Sequence, residues 1–480
     1  MGCQSNTEEA LIVTGDFMKQ SESFKRITVL LLDFLGICMH VAVFAWAWFS
    51  FYHPFIGRVR EGSTTMGPTF VTKGHILILA VYFVLMFFFL NTYGGLKIGY
   101  LKPVDVFLSQ IFALLLGNVI MYTIMALMRS DLIPVVPLLG VWVLQLVIAL
   151  AWAYITNVIY RRTFSPRRLL LVNGEYDAGD IIRKFMTRDD KYEIVKQINI
   201  SEGIEKVHEE CLGDYDGVVI WDVPSAYRNG LVKYCYGRNI RIYVMPKITD
   251  VLLKGSEQLH LFDTPVLLIR DYSIKIEQRA LKRLFDIVIS VLGLIIFAVP
   301  MLIAAIAIKL TDGGPVFFKQ VRCTLDRREF TLLKLRSMRV DSEKDGVARL
   351  ASKNDSRITP VGKIIRKTRI DEAPQFFNIL KGDMSFIGPR PERPEIIKQY
   401  LEDMPEFAFR TRIKAGLGGY AQIYGKYNTT PYDKLKLDLT YIENYSIWLD
   451  LKLMLMLPKI MLTPDSTEGV DEDQITAKKN

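Results

Sequence analysis

Residues 281–320 read LKRLFDIVISVLGLIIFAVPMLIAAIAIKLTDGGPVFFKQ, and this stretch decides how the chain meets a membrane. Its apolar run, residues 287–308, is long enough to cross the hydrocarbon layer as a helix. Basic residues stand on both sides of the run, so the positive-inside rule assigns both of its ends to one face. Pro300 lies near the middle, where proline removes a backbone donor and bends a helix. We therefore predict a re-entrant helix that enters, breaks at Pro300 and returns; the alternative is an ordinary fifth span with a tolerated proline.

Four further apolar runs precede this stretch, at residues 27–51, 76–91, 106–128 and 135–160. Each can cross a bilayer, the second only with its flanks. An even number of spans leaves both flanks on one side, and the arginine cluster after the fourth run places that side in the cytoplasm. The cluster comprises Arg161, Arg162, Arg167 and Arg168. We expect a multi-pass protein of a cytoplasmic membrane.

Composition narrows the chemistry of the soluble parts. Half of the 480 residues are hydrophobic, and a net charge of +9 suggests an anionic partner. The five cysteines are scattered without a CxxC pair, which argues against a disulfide framework or a zinc site. The last histidine is His260, so the C-terminal region lacks a histidine base or ligand.

After the fourth run, the chain is typical of a Rossmann-like α/β domain. RLLLVNG, GVVIWDV, IRIYVMP and TPVLLIR predict parallel strands, and DAGDIIRKFMTR predicts a helix. The turn NGEYDAG lacks the first two glycines of a dinucleotide fingerprint, so nucleotide binding and a scaffold or regulatory role both stay open. The predicted organisation is a cytoplasmic tail (1–26), a membrane α-helical bundle (27–162), the cytoplasmic Rossmann-like domain (163–278), a mainly α catalytic domain with the re-entrant helix (279–465) and a C-terminal tail (466–480).

Two adjacent acids, Asp371 and Glu372, stand in a strongly basic stretch. Pro374 and the pattern APQFFNILKG predict a helix that begins just after them and ends at Gly382. The helix dipole and the nearby cations favour the ionised carboxylates. An ionised carboxylate can act as a nucleophile and its neighbour can bind Mg²⁺, but a helix cap with a solvated acid explains the pair equally well.

Further segments indicate a phosphate-binding surface. Arg390 lies between Pro389 and Pro391, which restrict its backbone and suit it to bidentate phosphate recognition. FTLLKLRSMR predicts a strand that carries Lys334 and Arg336 as candidate phosphate ligands. KAGLGGYAQIYGKYN is glycine-rich with basic ends, and its backbone N–H groups could cradle phosphate. Nucleic acid is the competing anion, but we find no nucleic-acid module and expect none bound.

These motifs, taken in order, resemble a known family. KRLFDIVIS with Pro300, GGPVFFKQVR, LLKLRSM, IDEAPQFFNILKGDMSFIGPRPE, KAGLGGYAQIYGK and DLTYIENYSIWLDLKLM look like the monotopic polyprenyl-phosphate phosphoglycosyl transferases, the bacterial sugar transferase family. The whole chain is similar to the long members, with four N-terminal helices and a Rossmann-like domain, that initiate capsule, O-antigen or exopolysaccharide assembly in bacterial inner membranes. Lys426 stands where many members have arginine.

The resemblance implies a two-step reaction on the cytoplasmic face. Asp371 would attack a UDP-sugar, expel UMP and hold the phosphosugar until undecaprenyl phosphate accepts it, while Glu372 binds Mg²⁺. The resemblance suggests UDP-glucose or UDP-galactose as donor and favours a homodimer. The residues that it assigns to phosphate binding are Lys334, Arg366 and Arg390; Lys426 is a further candidate contact, and Asp438 matches a recurrent acid of unassigned role. A scaffolding subunit and an NAD-linked oxidoreductase are the alternatives from other classes.

Overall fold

A computed structural model describes residues 3–53, 68–270, 274–340, 355, 357–425 and 429–461, with side chains from residue 23 in the first range and residue 74 in the second. The chain forms two compact units, Met1–Met245 and Pro246–Asn480.

The first unit begins with four long apolar helices. They are α1 (Cys3–Ala47, extended by a π-helical turn at Trp48–Tyr52), α2 (Pro68–Tyr93), α3 (Pro103–Arg129) and α4 (Val136–Thr163). Each contains a segment that is long and apolar enough to cross a membrane, as the sequence predicts. Pro103 lies in the first turn of α3, where its missing N–H leaves no hydrogen bond unmade.

A closed ring of hydrogen bonds joins these helices in their buried interior. The Tyr82 hydroxyl donates to Asn118 Oδ1 (2.9 Å), Asn118 Nδ2 donates to Gln145 Oε1 (2.9 Å), and Gln145 Nε2 donates back to the Tyr82 oxygen (2.8 Å). The same amide nitrogen reaches the backbone oxygen of His40 on α1 (3.0 Å). Hydrogen bonds between membrane helices stabilise packing where lipid offers no polar partner. One glutamine therefore connects all four helices.

A parallel sheet follows the bundle in the first unit. Its strands are β1 (Arg167–Asn173), β2 (Tyr192–Asn199), β3 (Gly217–Trp221) and β4 (Ile242–Val244), in the order β2-β1-β3-β4. The connecting helices are α5 (Gly179–Met186), α6 (Ile204–Glu210) and α7 (Ser225–Gly237). The predicted α/β character is confirmed. The strand order is that of flavodoxin-type sheets rather than the 3-2-1-4 order of Rossmann folds.

Two details of this region differ from the prediction. TPVLLIR forms β6 (Thr264–Leu268), which pairs antiparallel with β5 (Glu257–Leu261) in a separate hairpin, so the prediction of a further parallel strand is wrong. The short link Phe262–Asp263 permits only an antiparallel return, since a parallel pair needs a long crossover. Residues 246–278 also group with the second unit, because Val251 on α8 (Ile248–Lys254) packs in a core with Leu435 and Leu439.

The second unit is mainly helical and contains three two-stranded sheets, the first of which is the β5–β6 hairpin. After α8 and this hairpin comes the long helix α9 (Ile276–Asp312), and the remaining strands are β7 (Phe317–Cys323), β8 (Glu329–Leu335), β9 (Ser385–Ile387) and β10 (Gly416–Gly418). The other helices are α10 (Pro360–Lys367), α11 (Gln375–Lys381), α12 (Pro394–Asp403), α13 (Tyr420–Tyr424), α14 (Pro431–Glu443) and α15 (Ile447–Met461). β7 and β8 pair antiparallel, whereas β9 and β10 pair parallel.

Helix α9 remains helical through Pro300, so no unwound segment interrupts it at the predicted break. One face of α9 presents apolar side chains outward, including Ile295, Val299 and Leu302. The other face packs on the domain along its whole length. Leu294, Phe297 and Met301 contact the core around Phe376, and Ala304 and Ile308 join a core with Leu335 and Ile365.

The first turns of α9 are held by buried polar contacts. The Lys282 ammonium donates to Asp450 Oδ2 (2.7 Å), the Tyr441 hydroxyl (3.2 Å) and the backbone oxygen of Ile387 (2.8 Å). One turn later, Asp286 Oδ1 accepts from the Ser385 hydroxyl (2.9 Å) and from the Phe386 N–H (2.8 Å). A buried ion pair offsets its desolvation only when hydrogen bonds satisfy the remaining groups, as they do here. The membrane helix is thereby fixed to strand β9.

Candidate active site

The two predicted acids lie in a 3₁₀ turn, Ile370–Glu372, between α10 and α11. Pro374 caps α11, and Gly382 with φ of 95° ends it, so the predicted helix and its limits are confirmed. The turn begins at Arg369, a non-glycine residue in the left-handed region with φ of 57°. Such a backbone conformation is costly and persists where the surrounding structure enforces it. Both carboxylates that follow this residue are largely buried.

Glu372 is surrounded by cations. Its Oε1 accepts from Lys334 Nζ (2.9 Å) and from Arg390 Nη2 (3.0 Å), and its Oε2 lies 3.7 Å from Arg369 Nη1. Burial alone would raise the pKa of Glu372, but the charges of Lys334, Arg390 and Arg369 outweigh it and hold the pKa well below its usual range. Glu372 is therefore ionised, as predicted.

Asp371 occupies a different environment. Its side chain is buried, and its Oδ1 accepts no hydrogen bond from the residues that the structure describes. Burial raises the pKa of Asp371 to about 6, against the lowering effect of Lys334 and with a further increase from Glu372. We expected the cations to stabilise both anions; for Asp371, desolvation is the larger effect. Its carboxylate is thus ionised at neutral pH yet weakly satisfied, as a nucleophile requires.

The other predicted site residues divide into three groups. Lys334 and Arg390 meet at Glu372, and the charge of Arg366 on α10 acts on Asp371. Arg336 packs instead against Gly314, and Asp438 pairs with Arg410. Lys426 lies outside the described residues.

The turn that carries Arg390 is stabilised by hydrogen bonds from other segments of the chain. Pro389 and Pro391 have no N–H, so the turn cannot close its own hydrogen bonds. Four successive carbonyl oxygens, from Pro389 to Glu392, instead accept from other segments. Their donors are Gly416 N (2.9 Å), Arg410 Nη2 (2.9 Å), Arg322 Nη1 (3.0 Å) and Cys323 N (2.9 Å), in chain order.

Arg410 links this turn to two buried acids. Its guanidinium donates to Asp438 Oδ2 from Nε (3.0 Å) and Nη2 (2.8 Å), and its Nη1 lies 3.5 Å from Glu392 Oε1. Glu392 also pairs with Lys434 and Arg322. Burial would raise the pKa of Glu392, but Lys434 and Arg410 dominate and lower the pKa to about 2. Asp438, the acid without an assigned role, thus serves the Arg390 turn rather than the acid pair.

Asn378 positions Lys334. Its Oδ1 accepts from the Leu333 N–H (3.0 Å) and its Nδ2 donates to the Thr331 oxygen (2.7 Å), so one side chain on α11 replaces a neighbouring strand for β8. Neither Asn378 nor Arg410 belongs to the predicted set of site residues. For Asn378, the signal is a lone polar residue on the apolar face of a predicted helix. For Arg410, it is an arginine close to Phe407 and Phe409.

The donor set suits a hard cation with few protein ligands. Asp371 offers an unpartnered oxygen beside the Glu372 carboxylate. Within the described residues, no group of three or more His, Cys, Asp or Glu side chains could hold a metal. Mg²⁺ commonly takes one or two carboxylates and completes its shell with substrate phosphates and water. The residues therefore fit magnesium bound together with a phosphorylated substrate.

Comparison with known proteins identifies the family of the second unit. The family described as bacterial sugar transferase matches residues 277–464. A Caulobacter vibrioides UDP-glucose:undecaprenyl-phosphate glucose-1-phosphate transferase is 40% identical over 190 residues, which cover 38% of this chain and 71% of that protein. An uncharacterized sugar transferase of Bacillus subtilis, EpsL, is 38% identical over 200 residues, covering 42% and 95%.

The chain belongs to the bacterial sugar transferase family. A UDP-N-acetylgalactosamine-undecaprenyl-phosphate N-acetylgalactosaminephosphotransferase of Aeromonas hydrophila is 42% identical over 186 residues, 38% of this chain and 44% of that relative. The chain therefore spans less than half the length of that relative. The acid pair, the Arg390 turn and α9 all lie in the sugar transferase region.

Arg410→Gln should destabilise the sugar transferase unit by about 3–5 kcal/mol, because it leaves the buried Asp438 without its partner. Arg410→Lys should cost less, since it keeps the charge but loses the fork to Asp438 and the Arg390 carbonyl. Thermal unfolding of the purified full chain measures both. The control is Arg412→Gln, an exposed arginine two residues away, whose effect should stay within about 0.5 kcal/mol. Equal melting temperatures for Arg410→Gln and Arg412→Gln would contradict the role of Arg410.

Proposed function

We propose that this protein transfers a phosphosugar from a UDP-sugar to undecaprenyl phosphate, releases UMP, and so initiates surface polysaccharide assembly. The single observation that carries the proposal is the unpartnered, buried carboxylate oxygen of Asp371 beside an acid held by three cations. The names of the Caulobacter and Aeromonas relatives describe this class of transfer. The donor is UDP-glucose or UDP-galactose by family resemblance.

In the first step, an Asp371 oxygen bonds to the β-phosphorus of the donor as the bond from that phosphorus to the bridging oxygen breaks. UMP departs with the electron pair, and Asp371 carries the phosphosugar. In the second step, a phosphate oxygen of undecaprenyl phosphate attacks the same phosphorus and frees the Asp371 carboxylate. Both nucleophiles react as anions, so atoms and charge balance without a proton transfer. A region without histidine is compatible with that chemistry.

The cations supply what phosphoryl transfer needs most, which is neutralisation of charge around the phosphorus. Arg390 and Lys334 already point at Glu372 in the free protein, so a phosphate can bind without reorganising them. Glu372 would hold Mg²⁺, which neutralises phosphate charge when bound. The surplus of cations over acids selects a polyanionic donor.

The membrane arrangement is the second part of the proposal. Lys282 and Asp286 at the start of α9, and Ala304 and Ile308 near its end, contact the same compact domain. The 22 helical rises between Asp286 and Ile308 would extend about 33 Å in a straight helix, roughly the thickness of the hydrocarbon layer. A crossing helix would place those contacts on opposite sides of the bilayer. We therefore infer that α9 bends at Pro300 and returns to the cytoplasmic face of the bacterial inner membrane.

Asp371→Asn should abolish UMP release, because an amide oxygen is a far weaker nucleophile than a carboxylate. The substitution nearly preserves volume and should leave the melting temperature close to that of the unmodified protein. UMP release is measured with UDP-glucose, UDP-galactose and their N-acetylated counterparts, with undecaprenyl phosphate present. A labelled phosphosugar should remain on the unmodified protein when the lipid is omitted, and not on Asp371→Asn. UMP release by Asp371→Asn at the normal rate would remove the assignment.

The rate of the first step should rise with pH through about 6, where it reaches half of its maximum, and level off above about pH 7. The raised pKa of Asp371 means that the nucleophilic anion is about one tenth populated at pH 5 and about nine tenths at pH 7. UMP release is measured in a single turnover without lipid. The phosphate monoester of the acceptor also titrates near pH 6 and would otherwise add a second pH dependence. A flat profile between pH 5 and 7 contradicts the assignment.

Cysteines introduced at Arg279 and Lys319, in a background without native cysteines, should react with an impermeant maleimide only in inverted membrane vesicles. Leu132→Cys, between α3 and α4, is the control on the opposite side and should react in intact spheroplasts. The returning helix is refuted by labelling of positions 279 and 319 from opposite faces.

A further inference from the structure

Lys414, the first residue of the glycine-rich motif, has no role in the proposed reaction. Its ammonium lies 3.8 Å from the position that a Cβ would take on Gly382, and Arg283 Nη2 lies 3.7 Å from the same position. Two cations thus face one small gap that is open because residue 382 has no side chain. Within the described residues Lys414 forms no salt bridge, whereas Arg283 donates to the carbonyl oxygens of Ile379 and Leu380 (2.6 Å each).

The surroundings of this gap are cationic. Arg328 and Lys381 share the carboxylate of Asp383, at 3.5 Å and 3.2 Å. The other nearby acid, Asp286, is bound by the Ser385 hydroxyl and the Phe386 N–H. Burial lowers the pKa of Lys414, and Arg283 and Arg328 lower it further against the opposite effect of Asp286 and Asp383. Lys414, Arg283 and Arg328 thus outnumber Asp286 and Asp383 around the gap, which leaves one positive charge unmatched.

The gap lies where α9 begins to present apolar side chains to its surroundings. Leu281 and Leu284, on either side of Arg283, are exposed, and the exposed apolar face continues through Val288. Basic side chains at this boundary sit at the level of lipid headgroups, where phosphates are the abundant anions.

We propose that Lys414 and Arg283 bind the phosphate of a membrane lipid in the gap beside Gly382. This site is separate from the acid pair, because α11 lies between them and its seven residues extend about 10 Å. A bilayer phospholipid suits that separation better than the acceptor lipid, whose phosphate has to reach Asp371. The same site could instead bind the phosphate of undecaprenyl phosphate, the acceptor lipid. Only this second possibility rests on the proposed function.

The test uses the full chain in nanodiscs of phosphatidylcholine mixed with phosphatidylglycerol. Native mass spectrometry after release from the nanodisc counts the phosphatidylglycerol that stays bound. Lys414→Gln should reduce this retention about fivefold, the factor expected for one basic residue at a lipid surface. Lys414→Arg should preserve it. Lys398→Gln, an exposed lysine on α12 with the same change of charge, is the matched control and should retain lipid normally.

A second measurement distinguishes the two sources of phosphate. If Lys414→Gln keeps phosphatidylglycerol but raises the KM for undecaprenyl phosphate about fivefold in UMP release, the site binds the acceptor. Unchanged retention together with an unchanged KM overturns the proposal. Absence of UMP release from the unmodified protein, with phosphatidylglycerol retention still sensitive to Lys414→Gln, contradicts the proposed function and leaves the lipid site standing.

Discussion

The carboxylate of Glu372 connects three segments of the sugar transferase unit: strand β8, the 3₁₀ turn before helix α11 and the turn that carries Arg390. A buried anion must be matched by cations, and those cations come from distant parts of the chain. Lys334 arrives on β8, whose backbone is held by Asn378, and Arg390 arrives on a turn fixed through its carbonyl oxygens. Removing the charge of Glu372 would leave two cations facing each other in a buried site. The arrangement of β8, α11 and the turn therefore depends on this one group.

That arrangement also explains how two adjacent acids can differ. Glu372 has two direct hydrogen bonds from cations, whereas Asp371 is equally near the positive field but lacks a donor at Oδ1. Burial raises the pKa of both acids, but the cations outweigh it at Glu372 and do not at Asp371. One acid organises the phosphate-binding groups and its neighbour is left reactive. Two neighbouring acids can thus take different roles because their environments differ: Glu372 binds the cations, and Asp371 keeps an oxygen without a hydrogen bond.

Much of this architecture was predictable because its signals are local. Apolar length identified the membrane helices, and Pro374 with Gly382 marked α11 and hence the position of Asp371. The contacts made by Arg336 and Asp438 were not predictable, since a basic or acidic residue has many possible partners and only the fold selects one. The same limit applies to β6. Its alternating pattern fits either sheet, and the two-residue link to β5 decides the pairing.

The ring of Tyr82, Asn118 and Gln145 has a consequence for the membrane bundle. Each helix contributes a group to a shared set of hydrogen bonds, so rotating or sliding one helix would strand polar atoms in an apolar interior. A transporter needs helices that rearrange past one another, and this bundle opposes such movement. The ring therefore favours a single fixed arrangement of the four helices.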